Sequence, residues 1–277
     1  QYRALDSAAD NRGVLFTGPA GTGKTFLAAE SAQREVAQGR AGRLLCFNRL
    51  LGRSLREKLM DVVGLRVGTL HQEMLRLAGM SGPPADADSD FWERVLPEKA
   101  LEGLAERSAE EVGDFLIVDE IQDIATGTYL DLLDLLVKGG LRDGRVLMFG
   151  DFERQAIYGS EGAREVLRAR SPHLASFRLS ENCRNLPRIG YQVNLLGHLT
   201  PGFREFRRTD DGIDPTIIKY VRGEDQAAIL RKVVGDLRDE GFDLTEIVVL
   251  SPLGDSSVAA SSQAISSEEN SRRRQRG

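Results

Sequence analysis

Gly18-Pro19-Ala20-Gly21-Thr22-Gly23-Lys24-Thr25 fits the spacing G-x-x-x-x-G-K-[ST] at every fixed position. The chemistry open to these residue types is phosphate binding. Glycines at Gly18, Gly21 and Gly23 let backbone N–H groups turn toward phosphate oxygens, and a helix starting there adds partial positive charge. Lys24 would reach the β- and γ-phosphates of a nucleotide, Thr22 would belong to the same cradle, and Thr25 would hold Mg²⁺. A second stretch, Asp119-Glu120-Ile121-Gln122-Asp123, ends an apolar run in two adjacent carboxylates. Asp119 would hold Mg²⁺ through its water shell, and Glu120 would take a proton from the attacking water. Alone, such a pair also reads as a solvated acidic turn; the upstream phosphate loop favours the catalytic reading.

Residues of this kind must be carried to one place by regular elements. Val14-Leu15-Phe16 before the loop reads as a buried strand and Phe26 to Gln38 after it as a helix stopped by Gly39. Arg43 to Phe47 reads as a second buried strand. Leucines at 51, 55 and 59 give an amphipathic helix over Asn48 to Met60, and Val67 to His71 a strand end leading into a helix through Leu77. Phe115 to Val118, Val146 to Phe149 and Phe177 to Leu179 read as further strands, and Thr128 to Lys138 as a helix closed by Gly139-Gly140. Pro187 to Phe206 reads as helical with breaks. Alternating strands and helices predict an α/β fold with a mostly parallel sheet, whose ligands bind at the carboxyl ends of the strands. Gly82-Pro83-Pro84 and the helical Phe91 to Glu111 read as a small insertion at about 79–111. After Asp210-Asp211-Gly212 a fresh β-α-β unit is predicted from Thr216 to Leu250. Residues 253–277, serine-rich and then charged, read as a disordered tail.

The 277 residues are 41% hydrophobic, enough for a large core. The net charge of −5 excludes a globally basic nucleic-acid binder, so any such contact must be local. Cys46 and Cys183 match no metal spacing and suit a reducing compartment. No apolar run approaches the roughly 20 residues that span a bilayer, so a cytoplasmic, membrane-free chain is expected. The sequence opens at Gln1 rather than methionine, which predicts a segment upstream.

The order of segments resembles the ATPase core of UvrD-like superfamily 1 DNA helicases, and more closely the bacterial ATP-binding proteins often fused to a nuclease-related domain. Gln1, Gly18 to Thr25, Cys46 to Arg49, Gly68 to His71, Asp119 to Asp123, Gly150-Asp151 through Tyr158, and Leu179 to Asn185 carry it, over residues 1 to about 250. The resemblance implies a RecA-like sheet with helices on both faces over 1–212, and the start of a second such domain over 213–252. It implies ATP and Mg²⁺ as cofactors, Gln1 on adenine, Gln155 sensing the γ-phosphate, and Arg184 as an arginine finger. It implies single-stranded DNA along Phe47, Asn48, Thr69, His71 and Tyr158. Plain readings compete for several of these: core packing for Phe47 and His71, a cap on the sheet for Tyr158, and a pair with Glu181 for Arg184. The pattern departs at Cys183, where the family carries an adenine-stacking tyrosine, and at Ser160 and Glu161, where it carries an aromatic residue and an arginine. No second arginine facing the nucleotide and no further DNA motif follow Leu250, so this stretch alone is expected to hydrolyse ATP slowly and not to unwind a duplex. The rival to a DNA-stimulated ATPase is an ATP-gated module that controls an associated nuclease. A small-molecule kinase is disfavoured by Gln122, Asp123 and Gln155.

Overall fold

The computed structural model describes residues 2–152, 162–198, 202–221 and 225–251. Two compact units divide after Asp214. In the first, six strands form one sheet: β1 (Gly13–Thr17), β2 (Gly42–Cys46), β3 (Leu65–Thr69), β4 (Phe115–Asp119), β5 (Arg145–Gly150) and β6 (Ala175–Arg178). Their spatial order is β3-β2-β4-β5-β1-β6 and every pairing is parallel. This is a RecA-like phosphate-loop α/β fold. β5 separates the strand that feeds the phosphate loop from the strand that ends in the acid pair. The register sets Thr17 beside Gly150 and Asp119 beside Phe149, so the three chain segments leave the sheet at one level.

The apolar runs form strands because both faces of the sheet are covered. Alternate side chains point to opposite faces. Phe115 and Ile117 of β4 join one apolar cluster with Val14, Phe16, Leu147 and Phe149, while Leu116 and Val118 join another with Leu15, Val146 and Met148. The first cluster is closed by α1 (Tyr2–Ala8), α2 (Lys24–Ala37) and α3 (Arg49–Lys58). The second is closed by α4 (Leu70–Leu77), α5 (Leu96–Glu111), α6 (Gly127–Leu135), α7 (Gly140–Asp143) and α8 (Ala163–Arg170).

The segment read as an insertion is a wall of this second cluster. A π-helical turn, Phe91–Val95, runs into α5, and Phe91, Leu96, Ala100 and Leu104 are buried. At the end of the sheet away from the phosphate loop, buried Arg43 of β2 bonds Glu73 of α4 at 2.8 Å and Glu111 of α5 at 2.7 Å. Arg66 and Arg76 add bonds of 2.8 and 2.6 Å to Glu111. The helix expected to reach Lys138 stops at Leu135, because Val137 bridges to Gly113 and the Lys138 N–H bonds the Gly113 carbonyl at 2.9 Å.

After β6 the chain makes a two-stranded parallel piece, β7 (Glu181–Asn182) with β8 (Glu205–Phe206), around α9 (Pro187–Leu196). Helix was expected through Phe206; instead α9 ends at Leu196 and Phe206 pairs with Asn182. Gly190 lets α9 lie on the Phe206 ring, where any Cβ would collide.

In the second unit α10 (Gln226–Asp239) forms behind an Asp225 cap, but Thr216–Tyr220 and Ile247–Leu250 are not strands. A strand is made by its neighbour, and these short apolar segments remain exposed, Ile217 at 57% and Leu250 at 88%. The tail read as disordered lies outside the described residues. Among the described residues, no helix is long and apolar enough to cross a membrane.

Candidate active site

Gly18 opens the loop by bonding the Gly150 carbonyl at 3.3 Å, and a side chain there would run into the Leu179 carbonyl. Gly21 and Gly23 take φ of +92° and +83°, the left-handed region that glycine enters at least cost. α3 is capped by the Asn48 side chain and α4 by a capping box between Thr69 and Gln72, whereas α2 has no side-chain cap among the described residues. Its first-turn N–H groups and the positive end of its dipole therefore face the loop. Lys24 is buried, and its ammonium donates to the carbonyls of Gly18 at 2.8 Å and Pro19 at 3.4 Å. The Thr22 hydroxyl donates to Pro19 O at 2.8 Å. The lysine thus lies across the loop it serves.

Asp119 is fully buried. Burial, with the neighbouring Glu120 charge, pushes its carboxyl up to about 6; a Thr25 hydrogen bond, the Lys24 charge and the Glu120 amide oppose that rise. Its Oδ1 accepts the Glu120 N–H at 3.1 Å, while Oδ2 has no hydrogen-bond partner among the described residues. A buried carboxylate oxygen without a donor, beside a threonine hydroxyl, suits a hard cation. Mg²⁺ in phosphate sites needs only one or two carboxylates besides water and phosphate. The residues present fit the ion.

Glu120 adopts φ of 54°, a conformation that costs a non-glycine residue on the order of 1–3 kcal/mol and recurs at functional sites. Buried Gln122 holds it: Nε2 donates to Glu120 Oε2 at 2.8 Å and Oε1 accepts the Asp151 N–H at 3.0 Å. Gln122 therefore links the acid pair to the end of β5. On the loop's other side, Asn182 Oδ1 accepts the N–H groups of Arg184 and Asn185, each at 2.9 Å. The Cys183 N–H bonds the Gly21 carbonyl at 2.8 Å. This turn seats Arg184 on a cavity of about 360 Å³ that Lys24, Thr25 and Glu120 also line.

A family model described as an AAA domain matches residues 1–161. The chain belongs to the AAA domain family. No curated protein matches it. Among solved structures, this AAA domain is similar to Bacteroides Pif1 bound to ssDNA (16% identity, TM-score 0.38, 84% of this chain and 55% of that one). It is also similar to the Pif1 helicase of Candida albicans (16%, 0.40, 87% and 54%) and to the arterivirus nonstructural protein 10 helicase (13%, 0.41, 83% and 53%). The chain thus spans about half the length of these structures.

The chain brings together Gly18, Gly21, Thr22, Gly23, Lys24, Thr25, Asp119 and Glu120 from the segment that the AAA model matches, and Arg184 from beyond it. Gln1, Gln155 and Tyr158 lie outside the described residues. Phe47 and His71 meet elsewhere on the same edge of the sheet, ring centroids 5.0 Å apart. His71 also packs edge-on to Trp92 at 5.0 Å and bonds the Tyr129 hydroxyl at 3.3 Å; burial lowers its pKa. Asn48 is exposed, its carbonyl oxygen spent on the α3 cap. Thr69 is buried and its hydroxyl caps α4, so it shapes the turn rather than lining a surface. Sequence reasoning missed the roles of Gln122 and Asn182, although both sit inside the matching segments. It also missed Phe26, which directly follows the phosphate loop and lines the cavity.

Proposed function

We propose that this AAA domain is an ATP-binding, Mg²⁺-dependent superfamily 1 helicase-like ATPase that acts on single-stranded DNA. The observation carrying the reading is the convergence on one cavity of a phosphate loop, a buried ammonium and the strained Glu120, beside a metal-ready carboxylate. Lys24 and the uncapped α2 N-terminus bind phosphate oxygens. Thr25 and Asp119 would hold the ion, which when bound would neutralise charge on the phosphates. Glu120, oriented by Gln122, accepts the proton of the attacking water at its carboxylate. Arg184 meets charge that develops on the transferred phosphoryl group, a task that suits a planar and permanently charged guanidinium.

The DNA part of the reading rests on the order of the matching segments. The cluster of Phe47, His71 and Trp92 supports it, because aromatic faces at a groove stack bases without reading their edges. The test is ATP hydrolysis with and without an unstructured oligonucleotide. Stimulation in the wild type is expected, and Glu120→Gln should keep Mg-ATP binding while cutting turnover by roughly 10²–10⁴-fold. Loss of binding in that variant would return Glu120 to a structural role, and absence of stimulation would remove DNA from the reading.

A further inference from the structure

Helix α3 lends one face to the phosphate-loop cavity. Leu51, Ser54, Leu55 and Lys58 all line it, and steps of three and four along a helix put them on a single stripe. The helix is fixed in that position. Asn48 caps its start, Leu55 is buried, and Gly52 lies so close to the Thr69 side chain that a Cβ would collide with it. The stripe therefore ends at a definite place on the cavity wall, and the residue at its end is a lysine.

Lys58 is exposed and differs from the other cations beside it on α3. Arg53 pairs with Glu57 at 2.9 Å, and Arg56 donates to the Gln72 side chain at 2.7 Å. Lys58 has no carboxylate partner among the described residues; its ammonium rests 5.1 Å from the centre of the Phe26 ring. At an exposed site such a contact is weaker than a charge-assisted bond to a phosphate oxygen. Among the described residues lining the cavity, Lys24, Lys58 and Arg184 are cations and Glu120 is the anion, so the wall suits a ligand that carries several negative charges.

The position of Lys58 selects the phosphate it can serve. Lys24 is tied to the start of the loop through the Gly18 and Pro19 carbonyls. A loop lysine reaches the β- and γ-phosphates, while the backbone N–H groups of the loop and helix start cradle the α- and β-phosphates. Phe26 is the third residue of α2, so its N–H belongs to that helix start. An ammonium resting on the Phe26 ring stands on the α-phosphate side.

We propose that Lys58 holds the α-phosphate of the nucleoside di- or triphosphate bound at the loop. This rests on the phosphate-site reading above and adds a second lysine, from α3, that grips substrate and diphosphate product alike. Loss of one charge-assisted bond, offset by the weaker contact with Phe26, corresponds to roughly 5- to 50-fold in affinity.

The experiment titrates the full chain with Mg-ATP and with Mg-ADP by calorimetry, at low and at high salt. Lys58→Gln should weaken both ligands by the same factor, within that range, and make binding less sensitive to salt than in the wild type. Unchanged affinity for both ligands overturns the proposal while leaving the phosphate site intact. A loss confined to Mg-ATP also overturns it, because Lys58 would then face the γ-phosphate. Equal weakening with an unaltered salt dependence overturns it too, because packing on Phe26 rather than charge would have been lost. If neither ligand binds the wild type, the phosphate-site reading fails and this inference with it.

Discussion

Replacing Asp119 with asparagine removes a charge that folding must take out of water. Its carboxyl stands near 6 in the folded chain against an ordinary 3.8. At about 1.4 kcal/mol per pH unit, keeping Asp119 ionised costs the fold on the order of 3 kcal/mol. The folded state holds this proton more tightly than the unfolded chain does. The stability associated with the group is therefore complete below about pH 4 and is lost as the pH rises through 6. Asparagine keeps the shape and an acceptor oxygen for the Glu120 N–H, without the charge. Asp119→Asn should then stabilise the metal-free protein by about 3 kcal/mol at pH 8 and by roughly half that at pH 5. Urea unfolding in EDTA at the two pH values reads this as a shift in midpoint at constant slope. With Mg-ATP present the same variant should lose the metal-dependent stabilisation. A loss of stability at pH 8 in EDTA, or an equal gain at both pH values, refutes the reasoning.

Lys24→Ala should abolish the thermal shift produced by Mg-ATP; an undiminished shift would remove the ammonium from phosphate binding. Glu111→Gln takes one carboxylate from the three arginines around it and should cost about 3–5 kcal/mol at pH 7 in urea unfolding. Arg76 foremost, with Arg66, holds the Glu111 carboxyl down to about 2, so its contribution is present above about pH 4.5 and fades as the pH falls toward 2. The penalty of that substitution should shrink accordingly at pH 3, and a constant penalty would mean that packing rather than charge is lost. Phe47→Ala should weaken single-stranded DNA binding by about 1–3 kcal/mol in a polarisation titration, and unchanged affinity would leave Phe47 as packing on the core.

The strands of the parallel sheet were legible because a strand covered on both faces must be apolar throughout, as Phe115 to Val118 is. The phosphate loop and acid pair were legible because their chemistry demands fixed residue types at fixed spacing. What stayed hidden is set by partners distant in the chain. Val137 leaves its helix for Gly113, and Phe206 turns into a strand only because Asn182 lies beside it. Thr216–Tyr220 and Ile247–Leu250 have strand-like composition but no pairing strand among the described residues, and composition alone cannot supply one. The surroundings of His71 come from three segments, and Trp92 and Tyr129 reach it only after α5 and α6 have packed.

Glu120 is the one residue of the acid pair set in a left-handed backbone. Glycine would relax that conformation, and many polar residues would tolerate the exposure, so selection for robustness alone would drift away from glutamate there. The role proposed for its carboxylate in proton transfer gives a reason for glutamate at this position that the backbone does not. Stability-guided sequence optimisation of this domain would erase position 120 early, and the resulting protein would fold better and do less.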